Sequence, residues 1–292
     1  MPSRPQVIAH VIRRRLGSSY RKGNEEMQEH SDAETVARFE NDTWSRCAKG
    51  YIDGFGALVA EGVDPLLDEV KVSAGDRVLD VGTGPGLVAA VATDRGANPV
   101  GLDFSEAMLA EARRLHPKIE FRAGSAEAMP FGDSEFDAVV GNFVLHHLGD
   151  PKKALKEAFR VLRPEGRMGF TVWADLSKLE AFGLFFGAVE EHAGDAELPN
   201  GPLFGVSEFA VFHEMAREAG FRDSSVKELQ IAWRTHSIDS FLAAFRDWAN
   251  LEAFPIDVRH AIEGTVRERA GAYRSGDAFV MPNPAILISA VK

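Results

Sequence analysis

The feature that most constrains this chain is a glycine-rich turn behind a short apolar run. Residues 77–81 read Arg-Val-Leu-Asp-Val, and glycines follow at positions 82, 84 and 86. Glycine has no Cβ atom, so the backbone can turn sharply and approach a ligand closely. A helix that starts behind such a turn directs free N–H groups and its positive dipole end at the same place. The stretch therefore predicts a ligand site, with the candidate ligand-binding residues Asp80, Gly82, Thr83, Gly84 and Gly86.

The spacing of the glycines bears on which cofactor this turn binds. The stretch follows the pattern D-x-G-x-G-x-G. The dinucleotide fingerprint G-x-G-x-x-G would need a glycine at position 87, where the chain has Leu87. The turn therefore indicates a nucleotide-like cofactor, and its spacing weighs against a nicotinamide dinucleotide.

A second acidic residue, Asp103, supports a nucleoside site. It ends the apolar run Pro99 to Leu102 and follows Asp80 by 23 positions. In a doubly wound sheet, this position lies beside the first crevice at the switch point of the strand order. A carboxylate there can accept hydrogen bonds from both hydroxyls of a ribose. Nicotinamide enzymes also use an acid at this place, so Asp103 indicates adenosine more clearly than it indicates which cofactor.

Strand-like and helix-like segments alternate from Arg77 onward, which predicts an α/β fold with a parallel sheet and helices on both faces. Helix patterns follow the first, second and fourth strands, with a turn at 163–166 before the fifth. The seven predicted strands are 77–81, 99–103, 119–123, 136–140, 167–172, a strand near 225–233, and 284–291.

Composition excludes several classes of protein. The 292 residues carry a formal net charge of −11, and residues 1–26 hold six cations and two anions, so that the remainder carries −15. An acidic body argues against a nucleic-acid partner. The single cysteine, Cys47, excludes an internal disulfide or a cysteine-based metal cluster and suits the cytoplasm. Because no apolar run approaches the roughly 20 residues of a membrane span, we expect none.

Two later segments complete the pattern. Phe121 to Phe131 reads Phe-Arg-Ala-Gly-Ser-Ala-Glu-Ala-Met-Pro-Phe, and Val140 to Leu148 reads Val-Gly-Asn-Phe-Val-Leu-His-His-Leu. With the glycine turn and the run from Pro151 to Arg167, they resemble the class I S-adenosylmethionine (SAM)-dependent methyltransferases of the ubiquinone/menaquinone-biosynthesis type (methyltransferase type 11). The resemblance covers roughly residues 36–174.

The resemblance implies a Rossmann-like, doubly wound sheet of seven strands, mostly parallel with an antiparallel last strand. It also implies SAM as the cofactor. The residues after strand three would reach the adenine edge, although Ser125 stands where the family usually has an aspartate, and a hydroxyl is a weaker acceptor. The implied adenine contacts are Ser125, Ala126 and Glu127, with Phe104 either on the adenine face or in the core.

At the end of strand four, the resemblance makes Gly141 and Asn142 contacts of the methionine part of SAM, largely through backbone carbonyls. His146 and His147 are the candidates for a catalytic base, and the alternative is that they serve packing or loop hydrogen bonds. Two adjacent histidines without a third ligand make a poor metal site, so we expect no metal.

The remaining segments are expected to surround this core. We expect a flexible basic tail over 1–30 and a single domain over 31–292. Helices over 31–70 carry Trp44 and Tyr51 on one face, and the resemblance makes them a lid on the methionine end of the cofactor. Segments 175–206 and 237–272, rich in Phe and Trp, are expected to form helical caps.

The sequence thus predicts an enzyme that moves a methyl group to an oxygen, nitrogen or carbon atom of a small, apolar or aromatic acceptor. A methyl on a sulfonium is already activated, so a catalytic triad is not needed. The alternatives are an NAD(P)-dependent oxidoreductase and a non-catalytic SAM-binding protein. Nucleic-acid methylation is disfavoured, because Asn142 to Leu145 does not form an N/D-P-P-Y tetrapeptide. Apolar helices at 175–190 and 237–254 could cover a pocket or form a homodimer.

Overall fold

The computed structural model describes residues 32–194, 201–203 and 205–292. The predicted basic tail lies outside these residues. The described part of the chain contains a large central sheet with helices on both faces, and a smaller sheet with further helices beside one edge of the large one.

The strands alternate with helices along the first half of the chain, as the sequence predicts. In chain order the strands are β1 (Arg77–Val81), β2 (Asn98–Asp103), β3 (Glu120–Ala123), β4 (Phe136–Gly141), β5 (Leu162–Trp173), β6 (Arg222–Leu229), β7 (Ala232–Thr235), β8 (Arg274–Ser275), β9 (Ala278–Pro282) and β10 (Ala285–Val291).

A polar side chain caps the first turn of several helices. Asp32, Ser105 and Asp150 each accept a hydrogen bond from the backbone N–H three residues later. The helices are α1 (Ala33–Cys47), α2 (Ala57–Ala60), α3 (Val63–Glu69), α4 (Leu87–Asp94), α5 (Glu106–Leu115), α6 (Pro151–Val161), α7 (Glu180–Ala193), α8 (Phe209–Ala219), α9 (Ile238–Trp248) and α10 (Ile256–Ala270).

The large sheet has the strand order β3-β2-β1-β4-β5-β10-β6. The first five strands run parallel, and β10 pairs antiparallel with both β5 and β6. The predicted seven-stranded sheet with an antiparallel last strand is therefore confirmed. The order reverses between β1 and β4, and a ligand crevice is expected outside the carboxyl ends of the strands at that point.

Alternating side chains divide the core between the two faces of the sheet. Leu79 packs with residues of α6 and α8 on one face, whereas Val78 packs with α3 and α4 on the other. A third apolar group, which we call the cap cluster, joins α2, α7, α9, α10 and the second sheet; among its members are Phe55, Phe185, Trp233, Phe241 and Phe245.

Two predicted boundaries are wrong. The predicted turn at 163–166 lies within β5, where the pairing shifts from Phe136 with Leu162 to Ala138 with Arg167. The extra residues bulge out, with Glu165 at φ +66°, because a two-residue step on β4 faces a five-residue step on β5.

The predicted strand at 225–233 is two strands in two sheets. β6 ends at Leu229, and β7 joins an antiparallel sheet of order β7-β9-β8. The chain leaves the large sheet because Ile231 and Trp233 bury their side chains in the cap cluster. Glu61 accepts the N–H of Ala232 and so holds the start of β7 beside α2.

Within the described ranges, no helix has the length and apolar character needed to cross a membrane.

Candidate functional site

The glycine turn has the conformation that its sequence requires. Gly82, Gly84 and Gly86 have φ values of +65°, +52° and +89°, a region that L-residues rarely adopt. A Cβ atom on Gly82 would lie 2.5 Å from Val144, and one on Gly86 would lie 2.9 Å from the ring of Phe121. A Cβ on Gly84 would meet nothing within 4 Å. Gly82 and Gly86 therefore allow close packing of the protein, while Gly84 faces open space.

Asp80 lies beneath this turn and is almost completely buried. Its Oδ2 accepts hydrogen bonds from Thr83 Oγ1 at 2.6 Å and from the N–H of Ala89 at 3.1 Å. Its other oxygen, Oδ1, is buried and has no hydrogen-bond partner within the described residues. Burial raises the pKa of Asp80 to about 7, and the nearby Asp103 carboxylate adds to this rise. One carboxylate oxygen is thus left for a donor that the described part of the chain does not supply.

Asp103 ends β2 and is linked to the same turn. Its Oδ2 accepts the N–H of Gly84 at 2.8 Å, and its Oδ1 accepts the N–H of Ser105 at 2.9 Å. Burial raises the pKa of this carboxyl group to about 6. A carboxylate offers about four lone-pair sites, so each oxygen retains capacity for a further donor. The proposed ribose contact remains compatible with these bonds.

Phe104, the next residue, is 39% exposed. The core-packing alternative for this ring therefore does not describe the structure, and its contact with an adenine stays a prediction.

The segment after β3 forms a tight turn at the same edge of the sheet. Ser125 is exposed, and its Oγ accepts the N–H of Glu127 at 3.1 Å. Glu127 in turn accepts the N–H of Asp150 at 2.9 Å, which holds the loop before α6, and Ala126 is buried. The Glu127 carboxylate thus has a structural partner, so any adenine contact in this segment falls to Ser125 and to backbone groups.

At the end of β4, the side chain of Asn142 is fully engaged with the protein. Its Nδ2 donates to the carbonyl of Val59 at 2.9 Å, and its Oδ1 accepts from Thr171 Oγ1 at 2.7 Å. A Cβ on Gly141 would come within 2.6 Å of Phe170 and of Val144. A ligand contact at these two residues would thus use backbone groups, and that contact stays a prediction.

The two adjacent histidines differ in their surroundings. His146 is 3% exposed, and neither of its ring nitrogens has a partner within the described residues. Burial, with His147 beside it, holds the pKa of His146 well below its ordinary value, so the ring is neutral. His147 Nδ1 lies 3.0 Å from Oε1 of Glu40, a buried residue of α1. His146 therefore has free ring nitrogens, whereas His147 fastens α1 to the loop after β4.

Trp44 and Tyr51 lie on the same side of the site. Their rings meet edge to face at 5.8 Å, and Trp44 also packs edge-on against His147 at 5.1 Å. Burial raises the pKa of the Tyr51 phenol, with smaller effects from Cys47 and from the Asp103 carboxylate. Tyr51 is thus near the second acidic residue of the site, and the predicted lid role of this pair stays a prediction.

These rings belong to a closed series of aromatic contacts, which we call the aromatic circuit. Its neighbouring centroids are 4.1 to 6.3 Å apart. In order, its members are Trp44, Tyr51, Phe55, Phe245, Phe182, Trp173, His146 and His147. The circuit joins the N-terminal helices, α7 and α9 to the ends of β4 and β5.

Sequence reasoning missed Glu40, Thr171 and Trp173 as members of this region. Glu40 lies four residues before Trp44, so the two share a face of α1, but nothing local shows that its partner is His147. Trp173 ends β5, and its position at the carboxyl end of a strand was the only sign in the sequence that it belongs to this region. Within the described part of the chain, no group of three or more His, Cys, Asp or Glu residues could hold a metal ion.

Comparison with known proteins agrees with this geometry. Residues 79–170 match the protein-family model described as a methyltransferase domain. That range begins inside β1 and ends inside β5, so it contains both acidic residues, the glycine turn and the paired histidines. Over residues 79–170 the chain is therefore similar to a class I SAM-dependent methyltransferase domain.

Within that class, the chain is similar to the ubiquinone/menaquinone-biosynthesis type. A demethylmenaquinone methyltransferase of Renibacterium salmoninarum is 45% identical over 103 residues, which cover 35% of this chain and 44% of that protein. One of Paenarthrobacter aurescens is 40% identical over 103 residues, covering 35% and 41%. The resemblance that the sequence indicated is confirmed. The chain spans less than half the length of these curated relatives.

A solved structure supports the fold over a longer range. The YcgJ protein of Bacillus subtilis superposes with a TM-score of 0.54 at 18% identity, covering 79% of this chain and 97% of that one. This likeness shows the shared fold.

Proposed function

We propose that this protein transfers the methyl group of SAM to a carbon, nitrogen or oxygen atom of a small, apolar or aromatic acceptor. The observation that carries the proposal is the buried Oδ1 of Asp80, which has no partner within the described residues and lies beneath a glycine turn with open space at Gly84. The ammonium group of the methionine end of SAM is a donor of the kind that this oxygen lacks.

The residues present fit SAM along the whole edge of the sheet. The carboxylate of Asp103 would hold the ribose, and the turn from Gly82 to Gly86, with Thr83 and Gly84, would lie against the methionine end. Phe104, Ser125, Ala126 and Glu127 would surround the adenine. Gly141 and Asn142 would offer backbone carbonyls, and Trp44 and Tyr51 would cover the site.

When bound, SAM supplies a methyl group on a positively charged sulfur, which makes that methyl open to in-line displacement. The protein's contribution is to hold the acceptor in line and to exclude water, which are the main terms in a reaction of this kind. Where the acceptor atom carries a proton, a base is also needed. His146 is the candidate, because its ring is neutral and both nitrogens are without a partner in the described structure.

The acceptor class follows from the aromatic circuit. Large rings from four parts of the chain meet at the ends of β4 and β5, and such walls suit a flat or apolar molecule. The relatives named above act, by their names, on demethylmenaquinone. Their similarity covers about a third of this chain, and the family match ends at residue 170, before α7, α9 and α10. The segments of the cap that would select the acceptor therefore lie outside the range that matches the family model.

Two further points belong to the proposal. The single cysteine favours a cytoplasmic protein, and the formal net charge of −11 favours a small-molecule acceptor over nucleic acid. A homodimer through the apolar faces of α7 and α9 is the alternative to a monomer in which these faces only cover the pocket; light scattering after gel filtration separates the two.

The test is methyl transfer from radiolabelled SAM to demethylmenaquinol and to a panel of small phenols and amines, with S-adenosylhomocysteine as the measured product. Turnover of any acceptor supports the enzyme, and NMR of the labelled product shows which atom is methylated. SAM binding without turnover of any panel member favours the non-catalytic alternative. The family match and the relatives lend no support to an NAD(P)-dependent oxidoreductase.

A further inference from the structure

The side chain of Asn283 is buried without any hydrogen bond. The residue is 0% exposed, and neither Oδ1 nor Nδ2 has a partner within the described residues. Leaving one buried donor or acceptor unpaired costs about 1–3 kcal/mol, so a carboxamide with both atoms unpaired is a strong sign of a missing partner. A leucine or alanine would fill this place without that cost.

Asn283 lies at the edge of the large sheet where the parallel strands have their carboxyl ends and where the ligand site is proposed. It lies just before β10, which runs antiparallel, so the start of β10 lies at the carboxyl ends of the parallel strands. The carbonyl of Pro284 accepts the N–H of Ala174, directly after Trp173. The N–H of Asn283 donates to the carbonyl of Ile231 at 2.9 Å. The residue is thus held between the ends of β5 and β6.

The face of Asn283 follows from its neighbours. Met281 and Ala285, two positions to either side, both pack in the cap cluster, as does Ile231. Asn283 donates its N–H to Ile231 and stands between Met281 and Ala285 in the chain, so it lies beside the cap cluster. Trp173 packs against that cluster and stacks on Phe143 at 3.9 Å, so the cluster continues to the loop after β4 that carries His146.

The charges around this site limit its ligand. Of the described residues, the buried polar or charged side chains are Glu40, Thr43, Asp80, Thr83, Asp103, Ser105, His146, Thr171, Asn283 and Ser289. None of these is a lysine or an arginine, so no cationic side chain is fully buried among the described residues. Arg246 of α9 has a buried Nε, but its guanidinium is partly exposed and bonds to Glu263. A carboxamide instead presents one acceptor and two donors without charge.

We propose that Asn283 is an acceptor-binding residue, and that its carboxamide pairs with an uncharged group that offers a hydrogen-bond donor and an acceptor side by side in one plane. This inference rests on the methyltransferase activity proposed above. It assigns part of the acceptor site to a residue outside residues 79–170, the range that matches the methyltransferase family model. Among the described residues, Asn283 and His146 each have a side chain without a hydrogen-bond partner. The ring of His146 is 6.3 Å from that of Trp173, and Pro284, next to Asn283, bonds to Ala174, next to Trp173.

A pair of probes tests the inference on the folded protein with S-adenosylhomocysteine bound. 2-Quinolinone offers an N–H and a C=O side by side on a flat ring, and 1-methyl-2-quinolinone lacks the donor. We expect 2-quinolinone to bind at least about tenfold more tightly, by calorimetry, since a missing partner leaves a buried group unpaired. Equal affinities, or binding of neither probe, would overturn the inference without needing any variant.

Two variants sharpen the test, Asn283→Ala and Asn283→Leu, with Ser289→Ala as the matched control. Ser289 is a polar residue of β10 at the other end of the sheet, where its Oγ donates to Glu69. We expect both Asn283 variants to lose the preference for 2-quinolinone and to keep the wild-type affinity for S-adenosylhomocysteine, and the control to keep both.

If the preference survives in a folded Asn283 variant, the carboxamide holds only a buried water and the inference fails. Absence of S-adenosylhomocysteine binding in the wild-type protein would instead count against the proposed function itself, so the two failures are distinguishable.

Discussion

Oε1 of Glu40 lies 3.0 Å from Nδ1 of His147, although 107 positions separate the two residues along the chain. Both side chains are largely buried, and the contact fastens α1 to the loop after β4. Ala33 and Gly149 make a second contact between the same parts, so close that a Cβ on Gly149 would lie 2.6 Å from Ala33. α1 carries Trp44, so this contact determines how firmly the N-terminal helices cover the site.

The first prediction concerns this contact. Glu40→Ala leaves a buried imidazole nitrogen unpaired, and we expect a loss of about 1–3 kcal/mol in the free energy of unfolding. Because α1 is loosened, the dissociation constant for SAM should rise as well. A double-mutant cycle with His147→Ala, followed by urea unfolding and calorimetry, measures the coupling.

His213→Ala is the control for that cycle. His213 also has a half-buried partner, with Nδ1 2.8 Å from Ser224 Oγ, but it lies on α8 away from the site. It should lower stability and leave SAM affinity unchanged. If Glu40→Ala also left SAM affinity unchanged, α1 would not act as a lid.

The second prediction concerns Gly84, whose φ is +52° and whose missing Cβ faces open space. Gly84→Ala should cost about 1–2 kcal/mol of stability from the strained backbone, and it should also weaken SAM binding at least about tenfold, because the methyl enters the space proposed for SAM and displaces a close contact. Thermal unfolding and calorimetry measure the two effects.

Gly276→Ala is its matched control, since Gly276 has φ +63° and no atom within 4 Å of its missing Cβ, but it lies in the turn between β8 and β9. We expect a similar loss of stability with unchanged SAM affinity. Equal effects of the two variants on binding would show that the space at Gly84 is not used.

The third prediction concerns pH. Burial raises the pKa of Asp80 to about 7 and that of Asp103 to about 6, whereas an unfolded aspartate has a pKa near ~3.9. Between about pH 4 and 7 the folded protein without ligand therefore binds protons that the unfolded chain has released, and its stability should fall as pH rises through that window. Urea unfolding from pH 5 to 8 measures this.

The same pKa gives a prediction for binding. If the ammonium group of SAM needs the ionised Asp80, its affinity should rise about tenfold from pH 6 to pH 8 and level off above pH 7. Calorimetry in buffers of different ionisation enthalpy should also show a proton released on binding at pH 6. A flat affinity profile with no proton release would show that the ionised Asp80 does not bind the ammonium group of SAM. The Asp80→Asn variant should give such a flat profile.

The fourth prediction concerns Asp103. Asp103→Ala should weaken SAM binding by about 1–3 kcal/mol, if its carboxylate accepts ribose hydroxyls through a charge-assisted pair. Because Asp103 also accepts the N–H groups of Gly84 and Ser105, the variant loosens the turn as well. 2′-Deoxy-S-adenosylhomocysteine separates the two effects. The variant should bind it and S-adenosylhomocysteine with equal affinity, whereas the wild-type protein should bind S-adenosylhomocysteine more tightly. No such preference in the wild type would contradict the ribose contact.

Local signals were enough to predict β1, the glycine turn and the two acidic strand ends, because residues close in sequence build them. The positive φ values at 82, 84 and 86 follow directly from the need for glycine there. The antiparallel β10 was also predicted, but through the resemblance rather than from its own residues.

The parts that sequence reasoning missed depend on distant neighbours. The split between β6 and β7 follows from the burial of Trp233 in a cluster that other segments build. The pairing of Glu40 with His147, and the burial of the Asn283 amide without a hydrogen-bond partner, involve residues far apart in the chain. Neither the hydrophobic periodicity of a sequence nor a short motif shows such contacts. The acceptor side of the site is built largely from residues that are far apart in the chain.

The central claim is that the turn from Asp80 to Gly86 binds SAM. Calorimetry of the purified protein with SAM, S-adenosylhomocysteine, NADH and NADPH tests it most directly. The structure predicts one site per chain for SAM and for S-adenosylhomocysteine, and no heat of binding for either nicotinamide. Binding of NADH or NADPH without binding of SAM would contradict the account.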